Sequence, residues 1–129
     1  MEYAYRAINE IDPHILKMNV LNLGYEGMFS GYNYVMELRK KYDCNMPWIL
    51  LFDPTASCNL HCKGCWAAEY GKTLNLTYEE MDKLVTEGEE LGIHWYMCTG
   101  GEPMCRKNDL LKLAAAHQNS VFHLFTNGT

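Results

Sequence analysis

The sequence predicts an α/β fold with parallel strands, and two observations predict it. From Trp48 onward, short apolar runs alternate with amphipathic stretches in the order strand, helix, strand, helix, strand, a pattern that implies parallel strands joined by right-handed crossovers. The residues with the most distinctive chemistry fall where those strands end. In parallel sheets the ligand site lies outside the carboxyl ends of the strands, so three unusual loops are expected to converge on one rim.

Composition bounds the reading without deciding it. Of the 129 residues, 48% are apolar and 21% charged, ordinary globular values that exclude disordered, collagen-like and mucin-like classes. The net charge of −5 is thinly spread, with 5 positive and 6 negative residues in 1–47 and 6 and 10 in 48–129. No nucleic-acid surface is indicated; Arg39-Lys40-Lys41 sits in a mixed-charge stretch that reads as a solvated helix face. No apolar run approaches the roughly 18 residues of a spanning helix, and Glu2 and Tyr3 after Met1 do not open a signal segment. A cytoplasmic protein without a membrane partner is expected.

Residues 1–47 read as a helical lead. Asp12-Pro13 sets a cap residue before a proline and opens a helix over 14–21. A second helix is expected over about 32–42, with Tyr34, Val35, Leu38 and Tyr42 on one side. Gly24, Gly27 and Gly31 are expected to separate the two, and Pro47 ends the lead. The run 48–52, Trp-Ile-Leu-Leu-Phe, lies between prolines and suits a strand buried on both faces. A polar stretch follows to about Leu76, a length uncommon without structure of its own unless it is functional.

The next helix is well marked. Thr77 is its N-cap and Glu80 completes a capping box. Tyr78, Met81, Leu84, Val85 and Leu91 keep helical spacing, and Gly92 closes it. A second strand is expected over 93–98, a second helix over 109–118 and a third strand over 121–125.

Six cysteines in a chain without a secretion signal point to metal or redox chemistry rather than a disulfide framework. Cys58, Cys62 and Cys65 fall within eight residues and can close around a metal. Thiolates select zinc or iron-sulfur clusters. Three ligands where a closed site takes four leave one position open, or filled from elsewhere by His61, Cys98 or Cys105. His61 reads as a packing or surface residue, Cys44 and Cys98 as structural, and Cys105 as a free buried thiol. Met18, Met28, Met36, Met81 and Met97 need only a core explanation.

Gly100-Gly101-Glu102-Pro103, at the end of the second strand, suits a place where backbone approaches a ligand closely and a carboxylate meets a cation. Thr126-Asn127-Gly128, after the third, is a turn tripeptide that gains meaning from sharing the rim.

Together, the loop Cys58-x3-Cys62-x2-Cys65 after the first strand and Gly100-Gly101-Glu102-Pro103 after the second resemble the radical S-adenosylmethionine (radical SAM) superfamily. The resemblance covers about 48–129. It implies that Cys58, Cys62 and Cys65 ligate three irons of a 4Fe-4S cluster while SAM chelates the fourth. The loop from Gly100 to Pro103 would hold the methionine ammonium, and Asn127 would contribute to the SAM site. One electron would then cleave SAM to methionine and a 5′-deoxyadenosyl radical that abstracts a substrate hydrogen. The family commonly has an aromatic or apolar residue before the third cysteine, where this chain has Gly64; Trp66 would cover the adenine instead.

The resemblance implies further parts. Family domains continue to six parallel strands in a partial barrel, so residues 48–129 are expected to be the first half of a (β/α)6 partial barrel, truncated after its third strand, with 1–47 as the lead. A fragment of a longer enzyme is expected, inactive alone, since an uncovered sheet edge is a liability. The run from Trp48 to Gly71, including 65–71, is closest in look to members that modify peptides or build cofactors and carry C-terminal auxiliary-cluster (SPASM-like) domains. A reduced flavodoxin- or ferredoxin-like donor and a peptide or small-molecule substrate are implied. The alternative is an iron-sulfur electron-transfer or zinc-binding module without SAM chemistry.

Overall fold

A computed structural model of the chain describes residues 2–67 and 73–128. The stretch 68–72, which takes in the end of the run compared with peptide-modifying members, lies outside the described residues.

The lead is helical throughout most of its length: α1 (Glu2–Glu10), α2 (Pro13–Asn19), a π-helical stretch (Val20–Ser30) and α3 (Gly31–Tyr42). Asp12 caps α2 as expected, its side chain accepting from the His14 N–H at 2.8 Å and the Ile15 N–H at 3.4 Å. The three glycines do not separate the helices. The backbone stays right-handed helical through Asn19 and Gly31, and the turns widen instead of breaking. Gly31 is required there because a Cβ would overlap the Glu26 carbonyl oxygen and stand 3.2 Å from that of Gly92.

The expected face of α3 also needs correcting: Val35 and Leu38 are buried while Tyr34 and Tyr42 are exposed. Tyr34 lies along the surface and donates its hydroxyl to the Glu90 carbonyl at 3.2 Å. Asn22, buried, donates to the Gln118 carbonyl at 2.6 Å. The lead therefore docks on the loops that precede the second and third strands, at the end of the sheet opposite the rim.

The sheet contains β1 (Leu50–Phe52), β2 (Trp95–Cys98) and β3 (Val121–Leu124), parallel and in that order. The crossovers contain α4 (Tyr78–Glu90) and α5 (Lys107–Ala116), the latter preceded by a 3-10 turn (Pro103–Arg106). The capping box of α4 forms as read, with Thr77 N–H on Glu80 at 2.7 Å and Glu80 N–H on Thr77 at 3.1 Å. Gly92 closes the helix at φ +78°.

Register decides which face is core. Leu50, Tyr96 and Phe122 form one row and Phe52, Cys98 and Leu124 the next; this face packs on Met81, Val85, Ile93, Leu110 and Leu113. Tyr96 is fully buried, and its hydroxyl donates into the Ile93 and Val85 carbonyls at 2.8 and 3.0 Å. The opposite row is Leu51, Met97 and His123.

The expectation that β1 is buried on both faces fails, since Leu51 is 59% exposed. The core helices lie against the other face. On the open side, Trp95 donates its indole N–H to His123 Nδ1 at 2.9 Å, and Trp48 meets Trp95 edge-on. Among the described residues no helix is long and apolar enough to cross a membrane.

Candidate functional site

The site is built on the loop that leaves β1. Its two ends are fastened together: Ala56 N–H donates to the Leu74 carbonyl at 2.8 Å and Leu76 N–H to that of Pro54 at 3.1 Å. The Thr55 hydroxyl bonds the Asn75 side chain, and it accepts the Ser57 N–H at 2.9 Å. Arg106 adds a clamp from the neighbouring crossover, its guanidinium donating to the Leu76 carbonyl at 2.6 Å, to that of Pro54 at 3.3 Å and to Asp109 at 2.8 Å. This role was not legible in the sequence, because its partners lie 52 and 30 residues away.

The loop after β2 lies directly on this base. Thr99 N–H donates to the Phe52 carbonyl at 3.0 Å, Gly101 N–H to that of Thr55 at 2.9 Å and Glu102 N–H to that of Ser57 at 2.8 Å. A Cβ on Gly100 would overlap the Thr55 carbonyl, and one on Gly101 those of Ser57 and Ala56. The close approach these glycines permit is thus to the chain's own cysteine loop. Gly100, at φ +104°, is suited to glycine on conformational grounds as well.

Glu102 is only 2% exposed. It accepts the Met104 N–H at 2.9 Å and the Thr126 hydroxyl at 2.7 Å on Oε1, and the Asn127 N–H at 2.7 Å on Oε2. Burial acts to raise its pKa; the N–H groups of Asn127 and Met104 and the Thr126 hydroxyl outweigh that and hold it below the usual carboxylate range. The carboxylate joins the β2 and β3 loops. Glu102 stands at the rim, and its contacts here are three donors of the chain itself.

The cysteines line the outer part of the same loop. Cys62 and Cys65 are joined by a tight turn, Cys65 N–H donating to the Cys62 carbonyl at 3.2 Å, with Gly64 at φ +77°. This accounts for a glycine before the third cysteine: the turn needs a left-handed residue there. Cys58 Sγ accepts the Leu60 N–H at 3.4 Å. Asn127 reaches over from the β3 loop, donating to Asn59 Oδ1 at 2.9 Å with Cys58 Sγ at 3.9 Å.

The six cysteines are free, Cys62 exposed and Cys58 and Cys65 half-buried. Among the described residues no group of three or more His, Cys, Asp or Glu stands at metal-binding spacing. The thiols are gathered on one loop without being drawn around a common point.

A cavity of about 450 Å³ opens beside this loop, bordered by Asp53, Ala56, Trp66, Leu76, Gly100 and Gly101 among others. Trp66 forms part of its wall. Pro103 is fully buried beneath the rim. His61 is exposed, as expected, and Cys98 is fully buried, its thiol pushed up to about 12 by burial. Cys105 and Cys44 are both exposed, against the buried and structural roles expected of them; Cys105 lies in a surface turn and Cys44 just beyond α3. Met28 is likewise exposed rather than core, because the π-helical stretch turns it outward.

A parallel α/β sheet carrying a three-cysteine loop and a Gly-Gly-Glu-Pro loop on one rim defines a class of cofactor-dependent α/β proteins. The chain belongs to the radical SAM superfamily, whose family model matches residues 52–129. Over 82 residues, 58% of this chain and 25% of the relative, it is 41% identical to a GTP 3',8-cyclase of Syntrophomonas wolfei subsp. wolfei (strain DSM 2245B / Goettingen). Over 57 residues, 41% of this chain and 18% of the relative, it is 44% identical to a GTP 3',8-cyclase of Alkaliphilus metalliredigens (strain QYMF). The matched stretches thus span a quarter or less of those relatives. No solved structure matches the chain.

Proposed function

We propose that this chain is part of a radical SAM enzyme in which Cys58, Cys62 and Cys65 hold a 4Fe-4S cluster and the loop from Gly100 to Pro103 receives the methionine end of SAM. The observation that carries this reading is the direct seating of one loop on the other, through Gly101 N–H on Thr55 and Glu102 N–H on Ser57 immediately before Cys58. That contact ties the place of a cationic ligand to the place of a metal.

The donor set fits the cluster. Three free thiols on one loop suit iron-sulfur ligation, and a fourth iron left without a protein ligand is open to SAM. The 58–65 loop would close around the cluster on binding. When bound, the two cofactors supply one-electron cleavage of the sulfonium and hydrogen abstraction from a substrate. The residues of this chain bind, orient and shield them. Two carboxylate oxygens offer about four acceptor positions, and the three contacts on Glu102 leave one on Oε2 for an ammonium. Trp66 covers the adenine from the cavity wall, and Asn127 closes the rim from the β3 side.

In this reading residues 48–129 form the first half of a (β/α)6 partial barrel and 1–47 its lead, in a cytoplasmic protein. The electron donor is a reduced flavodoxin- or ferredoxin-like protein. The substrate is a small molecule or peptide, and the name shared by the two relatives makes a purine nucleoside triphosphate the first to test.

Anaerobic reconstitution with iron and sulfide, followed by paramagnetic resonance of the reduced chain with and without SAM, tests the proposal. The expected result is one cluster per chain whose spectrum changes with SAM. A spectrum unchanged at saturating SAM would move the reading to an electron-transfer module, and uptake of zinc alone to a zinc-binding one.

A further inference from the structure

We infer that Asn127 is a positioning residue for Cys58, tying the first cysteine of the metal loop to the buried Glu102 carboxylate; this rests on the cluster reading above. Asn127 is held at both ends. Its backbone N–H donates to Glu102 Oε2 at 2.7 Å, and its side-chain amide donates to Asn59 Oδ1 at 2.9 Å with Cys58 Sγ at 3.9 Å. The turn that presents it is closed by Gly128 N–H on the Thr126 hydroxyl at 3.1 Å, with Gly128 at φ +77°. Thr126 in turn donates to Glu102.

The bridge spans 69 residues of sequence between Asn127 and Cys58. Its anchor is firm because Glu102 is buried with three donors, and its far end is soft because residues 59–64 are exposed. Asn127 therefore lends the order of the rim to the part of the cysteine loop that lacks its own.

Two consequences follow for a cluster held by Cys58. The amide directs an N–H dipole at the thiolate side of the site, and hydrogen-bond donors near ligand sulfurs favour the reduced, more negative cluster. The same contact fixes Asn59, and with it the Leu60 N–H that Cys58 Sγ accepts. Asn127 thus acts on the site through Cys58 and Asn59.

The test uses Asn127→Leu and Asn59→Leu in the full chain, with two readouts. In the metal-free protein, hydrogen exchange at 58–62 is expected to rise roughly five- to tenfold in either variant, the loss of about one hydrogen bond, while 121–124 stays protected. In the reconstituted protein, each variant is expected to keep the parent's iron and sulfide content and shift the reduction potential to more negative values. The double variant should add nothing beyond the single ones. Unchanged exchange and potential in both variants would overturn the inference, as would additive shifts, which would mean that the two residues act independently. If Asn127→Leu fails to fold, Asn59→Leu reads the same bond from the exposed side. If the parent takes up no cluster, the functional reading fails while the exchange measurement still decides whether Asn127 orders the loop.

Discussion

Gly101 and Ser57 meet backbone to backbone: the carbonyl oxygen of Ser57 accepts the N–H of Glu102 at 2.8 Å and lies where a Cβ on Gly101 would be. The two loops that carry the distinctive chemistry of this chain are consequently one structural unit, and changes in either should be read out in the other.

Gly101→Val is expected to push the cysteine loop away from β2, at a cost of about 1–3 kcal/mol for forcing side-chain volume into a closed contact. Gly64→Ala is the contrasting change. Nothing lies within 4 Å of a Cβ there, yet φ is +77°, so its cost should be conformational, about 1–2 kcal/mol. Urea denaturation measures both; iron uptake after reconstitution should fall far more in Gly101→Val. Equal iron uptake would show that the two loops are not mechanically joined.

Glu102 should make the rim acid-labile. Its folded pKa lies below the ordinary carboxylate value because three donors outweigh burial, so the stability it contributes is fully present above the unfolded value of about 4.3 and is lost as pH falls through the lower folded value. Glu102→Gln should cost about 1.5–3 kcal/mol at neutral pH, and the difference from the parent should narrow below about pH 4. Parallel stability curves down to about pH 2 would mean that the carboxylate charge contributes nothing.

The thiols should react in a definite order. Cys98 is fully buried and its pKa is pushed up to about 12, so it remains an unreactive thiol in the folded chain. Maleimide labelling followed by mass spectrometry should mark exposed Cys44, Cys62 and Cys105 first, half-buried Cys58 and Cys65 next and Cys98 only on unfolding. Early labelling of Cys98 would contradict the packing of β2 against its helices.

Arg106→Lys should loosen the base of the cysteine loop despite keeping the charge. A lysine ammonium lacks the planar fork that reaches the Pro54 and Leu76 carbonyls and Asp109 together. The expected cost is about 1–2 kcal/mol, with faster hydrogen exchange at Leu76, whose N–H bonds the Pro54 carbonyl. Parent-like exchange would assign Arg106 to the surface alone.

What the sequence by itself determined was local. The capping box at Thr77 and Glu80, the cap at Asp12, the helix stop at Gly92 and the alternation of elements are written in neighbouring residues, and all are present. The cysteine and Gly-Gly-Glu-Pro motifs were legible for the same reason, each lying within a few consecutive positions. What only the tertiary structure decided depends on residues far apart in the chain. Leu51 is exposed because the core helices pack on the face that Leu50 and Phe52 share with Tyr96 and Cys98. Gly24, Gly27 and Gly31 failed to break the lead because glycine permits a turn without compelling one, and Gly31 is needed for its approach to Gly92. The partners of Glu102, the reach of Arg106 and the bridge from Asn127 to Cys58 arise only when parallel register brings three strand ends to one rim. No local pattern encodes which donor a buried carboxylate will meet there.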